Sequence, residues 1–137
     1  MWWIYALLSA FFASLTAIFA KVGVTNVNSD LATAIRTVVI LIVAWGIVMA
    51  RGELKGITEL SKHNLLFLFL SGLATGLSWI FYYKALQIGK VSQVAPVDKL
   101  SVALTIILAK VFLKEALTLK VFFGALLIIG GTLVLIF

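Results

Sequence analysis

The sequence contains no cysteine, which excludes disulfides, thiolate metal sites and a cysteine nucleophile. His63 is the only histidine, so one chain cannot build a multi-histidine metal site. Acidic residues are scarce: five in 137, against eleven lysines and arginines. Asp98 is the only carboxylate clearly inside an apolar segment. There is no nucleophile–histidine–carboxylate set, glycine-rich phosphate loop or metal-ligand cluster. The chain is therefore expected to be neither an enzyme nor a cofactor or metal carrier. Proline occurs once, at Pro96.

Apolar residues, by contrast, make up 64% of the chain. Soluble domains lie near 45–50% apolar, and a chain so much richer could not cover its own surface with polar groups. The expected class is an integral membrane protein. The net charge of +6 sits beside apolar segments, where it reads as topology control and contact with anionic headgroups. The opening "MWWIYALLSAFFASLTAIFA" lacks the basic start of a signal peptide, and its apolar run is too long for one. Trp2, Trp3 and Tyr5 suit an interfacial aromatic belt.

A membrane-crossing helix needs about 20 apolar residues. Five segments qualify, near 3–20, 31–50, 65–83, 94–113 and 119–137, and none alternates as a barrel strand would. The fold class predicted is all-α, five transmembrane helices in a single domain over 1–137. Ser29 or Asp30 is expected to cap the second helix, Ser92 the fourth and Thr118 the fifth, with Gly89 ending the third. The longest polar stretch, "RGELKGITELSKH" (Arg51–His63), could lie partly along the membrane surface as a short helix.

An odd number of crossings puts the termini on opposite sides. Arg51, Lys55, Lys62, Lys110, Lys114 and Lys120 fall on the N-terminal side, and Lys21, Arg36, Lys84, Lys90 and Lys99 on the other. The tally is 6 to 5 with the helix-end residues and 5 to 3 without them, a weak preference for the N-terminal side in the cytoplasm, and so near balance that the chain could insert both ways.

Small residues form stripes. Ala6, Ala10, Ala13, Ala17 and Ala20 are spaced 4-3-4-3 and share a face of the first helix. Gly72 and Gly76 form a GxxxG pair on the third, and the same face runs on to Trp79 and Tyr83. Gly124, Gly130 and Gly131 mark the fifth. The plain reading is close helix packing; the functional one is room for a cavity with Trp79 and Tyr83 as an aromatic wall.

Asp98, Lys99 and Lys110 lie within the fourth span, Lys110 near its end, and Arg36 lies within the second. Arg36 is about six residues into the second helix, or roughly 9 Å along its axis, a depth from which a long side chain can snorkel to the interface. Lys99 has the same freedom. Asp98 is short, and a charge at a helix centre costs about 2.5–3.5 kcal/mol on insertion scales. Pairing with Arg36, Lys99 or water would offset much of that cost, either as a structural tie between helices two and four or as the polar floor of a cavity. Pro96, two residues before Asp98, removes a backbone donor and frees a carbonyl, which membranes tolerate beside protein or water.

"VAPVDKLSVALTIILAKVFLKEALTLKVFFGALLIIGGTLVL" (Val94–Leu135) resembles the EamA-type domain of the drug/metabolite transporter superfamily. It has a proline-led fourth helix at Pro96, an "LxEALT"-like turn at Leu113–Thr118 and a glycine-rich fifth helix. "LTAIFAKVGV" (Leu15–Val24) and "AIRTVVILI" (Ala34–Ile42) are similar to its first two helices. The resemblance implies transport of small metabolites or drugs by alternating access. Members typically carry two five-helix domains in inverted repeat, so a single one implies a half-transporter. The expected assembly is an antiparallel homodimer of dual topology in a prokaryotic plasma or inner membrane, or a pair with a homologous subunit. The first helix lacks the glutamate with which four-helix small multidrug resistance proteins bind protons and cations.

The substrate contacts expected are Arg36, Asp98 and Lys99 as polar groups and Trp79 and Tyr83 as walls. Two cations to one anion point to an anionic or zwitterionic solute. The alternatives are a flippase or accessory subunit for a lipid-linked substrate and a purely structural membrane subunit.

Overall fold

The computed structural model describes residues 1–137, all in helices and their connections. The α-helices are α1 (Trp2–Gly23), α2 (Ser29–Ala50), α3 (Lys62–Ile88), α4 (Val91–Asp98), α5 (Leu100–Phe112) and α6 (Leu119–Ile136). A 3₁₀ segment, Glu53–Glu59, follows α2 within the stretch for which a surface helix was expected. Helices α1, α2, α3 and α6 are each long and apolar enough to cross a membrane. Large apolar side chains point outward along all four, as lipid-facing helices require.

The expected fourth span differs: it is two helices, not one. Pro96 lies inside α4, where it has no N–H to give to the carbonyl one turn earlier. At the joint the Lys99 N–H is shared between the carbonyls of Ala95 (3.3 Å) and Pro96 (3.0 Å). The Val102 N–H then donates to Lys99 O at 3.0 Å, so the backbone tightens locally to three-residue spacing. Neither piece alone is long enough to span, which leaves four long helices and one broken one.

Helix ends follow side-chain chemistry. Asn28, rather than Ser29 or Asp30, caps α2: its Oδ1 accepts from the backbone N–H groups of Asp30 (2.9 Å) and Leu31 (3.2 Å). Ser29 is instead buried within the first turn. Asn28→Ala should cost about 1 kcal/mol, read as a lower Tm in detergent. Thr118 caps α6 as expected, accepting from Val121 N–H at 3.3 Å. Ser92 caps nothing, because α4 begins one residue before it, after Lys90. Gly89 directly follows the end of α3. Gly52, at φ 69°, supplies the left-handed residue that stops α2, and its N–H donates to Met49 O at 3.1 Å.

The chain forms two compact units: Phe19–Gln87, and Met1–Ile18 together with Ile88–Phe137. In the first, Ala20, Val24, Ser29, Thr33, Tyr83 and Leu86 are buried. Lys21 Nζ donates to Leu86 O, and Gln87 Nε2 donates to Val24 O (3.2 Å) and to Val27 O. These bonds tie the end of α1 and the turn after it to the last turn of α3. They supply partners to carbonyls that a helix end leaves open, and a cation there also suits the negative end of the helix dipole. In the second unit α4 and α5 pack on α6, with Ala103 and Thr132 buried. The buried Thr132 hydroxyl donates to Ile128 O at 2.8 Å, with Pro96 O at 3.3 Å as a second acceptor. The carbonyl beside the broken turn thus has a protein partner.

Candidate functional site

On α2, Ser29, Thr33 and Arg36 are spaced 4-3 and share a face. On α3 the same spacing aligns Trp79, Tyr83 and Leu86. Serine and threonine are buried at the start of the α2 face, so the next position along it, Arg36, is directed toward α3 while remaining partly open. Its guanidinium carbon lies 3.4 Å from the centroid of the Trp79 ring and 5.9 Å from that of Tyr83. The separation from Trp79 is that of direct stacking on the ring face, where a desolvated cation gains about 2 kcal/mol or more.

The aromatic side is itself braced. Trp79 meets Tyr82 at 5.4 Å and Tyr83 at 5.8 Å, both edge to face. Tyr83 is buried and Leu86 behind it is fully so, while Trp79 and Arg36 keep an open side. The result is a cation over a braced aromatic platform within α2 and α3.

Arg36, Trp79 and Tyr83, expected from the sequence as substrate contacts, are therefore brought together within one unit. Arg36 and Asp98, which the sequence offered as a possible pair, fall in different units; within its own unit Arg36 meets aromatic rings. Asp98 pairs with its neighbour Lys99 at 3.5 Å, at the joint between α4 and α5. Both side chains of that pair are well exposed, 37% for Asp98 and 59% for Lys99, so the tie is a loose one. Pro96, Asp98 and Lys99 form a second polar locus, in the other unit.

The small-residue stripes divide. Ala17 is buried, whereas Ala6, Ala10 and Ala13 are exposed. Gly72, Gly76, Gly130 and Gly131 are exposed and Gly124 is intermediate. An added Cβ would meet nothing within 4 Å at any of these five glycines. They make no close helix contact within the chain.

Three functional neighbours escape the sequence reading. Tyr82 braces Trp79 from three residues on, a spacing that hinted at it. Lys21 and Gln87 clamp the end of the unit that holds Arg36; a lysine and a glutamine in last turns were the available signal. Away from both loci, a groove of about 390 Å³ lies where the 3₁₀ segment rests on α2, lined by Trp45, Val48, Ile57 and Leu60 with Glu53 as its one charge.

Comparison with known proteins identifies relatives of the chain. The whole chain, residues 1–137, matches the model of the EamA-like transporter family. It is 52% identical over 134 residues to an uncharacterized transporter in the cobO 3′ region of a Sinorhizobium species, covering 98% of this chain and 95% of that one. It is also 35% identical over 81 residues to an uncharacterized protein of Methanocaldococcus jannaschii, covering 59% of each. No solved structure matches it.

Proposed function

The chain belongs to the EamA-like transporter family, and on that premise we propose that it is half of a transporter moving a small organic metabolite or drug by alternating access. The observation that carries the reading is Arg36: a cation within a membrane span, stacked on Trp79 and without a carboxylate partner in its own unit. Ionisable groups at such depth are costly and mark substrate paths by default.

The broken helix supports the same reading. Val91–Phe112 counts 22 residues, or about 33 Å at 1.5 Å per residue, enough for a bilayer core of about 30 Å. Taken together, α4 and α5 make the fifth crossing. Discontinuous helices beside a polar locus are how many transporters form binding sites. Five crossings leave the termini on opposite sides, and the nearly even lysine and arginine tally favours neither orientation strongly. Two oppositely inserted copies then make ten crossings and an inverted repeat in a prokaryotic plasma or inner membrane. The work is binding and movement, not chemistry, and calls for no cofactor.

A topology reporter fused after Phe137 tests the assembly. The expected result is signal from both sides of the membrane in one culture. Signal from a single side would overturn the homodimer and turn the search to a homologous partner subunit.

A further inference from the structure

Arg36 is a charge within a span that no carboxylate of its own unit answers. The unit that contains it has three carboxylates, Asp30, Glu53 and Glu59, and none forms a salt bridge with it. The single salt bridge in the chain is Lys99 with Asp98. Arg36 makes ring contacts with Trp79 and Tyr83 and no hydrogen bond to the protein.

The stacked arrangement decides what such a group can bind. A guanidinium is planar, with its five N–H donors in the plane and pointing away from its edges. The Trp79 ring covers one side of the Arg36 guanidinium, and no protein acceptor takes its donors. A fixed fork of this kind matches the paired oxygens of a carboxylate or phosphate, and two parallel charge-assisted hydrogen bonds result. A cationic solute would meet a like charge instead, and a neutral one would leave the charge unanswered.

We propose that Arg36 binds the oxyanion, a carboxylate or phosphate group, of the small organic solute carried by this protein, with Trp79 holding the guanidinium in place. This narrows the solute class within the transport reading above and rests on it. Trp79 is here a positioning residue: it acts through Arg36.

The test uses the full-length protein in phosphatidylcholine nanodiscs. Trp2, Trp3 and Trp45 are replaced by phenylalanine, so that Trp79 is the only emitter among the four tryptophans. Phenyl phosphate and benzoate are titrated against benzylamine and benzyl alcohol. Both anions should change Trp79 emission saturably, and the amine and the alcohol should not. Arg36→Gln should raise the half-saturating concentration of phenyl phosphate by about tenfold or more. Arg36→Lys keeps the charge without the planar fork and should give an intermediate loss, a check that survives poor folding of the glutamine variant. Equal saturation by benzylamine or benzyl alcohol, or phenyl phosphate binding that both variants leave intact, would overturn the proposal. So would a response confined to phosphatidylglycerol nanodiscs with none to soluble anions, since the oxyanion would then be a lipid headgroup. The transport reading fails separately: anions would bind to Arg36 with no solute flux in proteoliposomes. Flux of neutral or cationic solutes, unchanged in Arg36→Gln, would remove the anion inference alone.

Discussion

Arg36→Ala is expected to weaken binding of the transported solute by about tenfold or more, whereas Tyr83→Phe changes it by less than about threefold. The solute can be found by screening metabolites for those that raise the Tm of the wild-type protein, since binding to the folded state stabilises it. The asymmetry follows from what each substitution removes. Alanine deletes the guanidinium and with it every charge-assisted hydrogen bond at the site, each worth about 1.5–3 kcal/mol. It also uncovers the face of Trp79 that the cation occupied. Phenylalanine at 83 keeps the ring that lies edge-to-face with Trp79 and loses only the hydroxyl. The variant should remain folded, because Arg36 is only half-buried and its contacts are lateral. Equal binding by Arg36→Ala and wild type would take Arg36 out of the site.

Leu86→Ala carries the largest expected loss of stability. Leu86 is 0% exposed, the one large side chain wholly enclosed by the protein. Truncating such a leucine costs about 2–5 kcal/mol, through lost contacts and an unfilled cavity. The argument holds in a bilayer, where packing rather than water exclusion drives helix association. The position matters further because Leu86 O accepts the Lys21 bond, and Tyr83 lies one turn away on the same face. Loosening this turn should therefore lower Tm and also weaken solute binding, without touching a contact residue. Leu104→Ala, at a site 60% exposed, is the control and should change stability by no more than about 0.5 kcal/mol. Similar losses at both positions would show that Leu86 is not the core residue the packing makes it.

Membrane class and the position of most helices were legible because a 20-residue apolar run has few other meanings. Arg36, Trp79 and Tyr83 were legible as candidates because charge and aromatics at 3- and 4-residue spacing stand out in such runs. Their mutual arrangement was not. Opposite charge made Asp98 the natural partner to consider, but hydropathy and period do not encode which side chain a cation meets across helices. The break at Lys99 was half legible. Pro96 announced a weakened turn, yet the two-piece result also depends on Thr132 of α6 offering its hydroxyl beside the Pro96 carbonyl, a tertiary contact 36 residues away. The cap of α2 was misplaced by one or two positions because Asn28, Ser29 and Asp30 are all good caps in succession, and burial of Ser29 decides among them.

The open space over Gly72 and Gly76 has a consequence for what these positions can accommodate. Alanine would fit at either without displacing an atom of the chain, and a helix interior generally gains up to about 1 kcal/mol when glycine gives way to alanine. Nothing within the unit that holds them requires glycine at either place. Substituting larger residues at 72 and 76 would therefore read what approaches this face from beyond that unit.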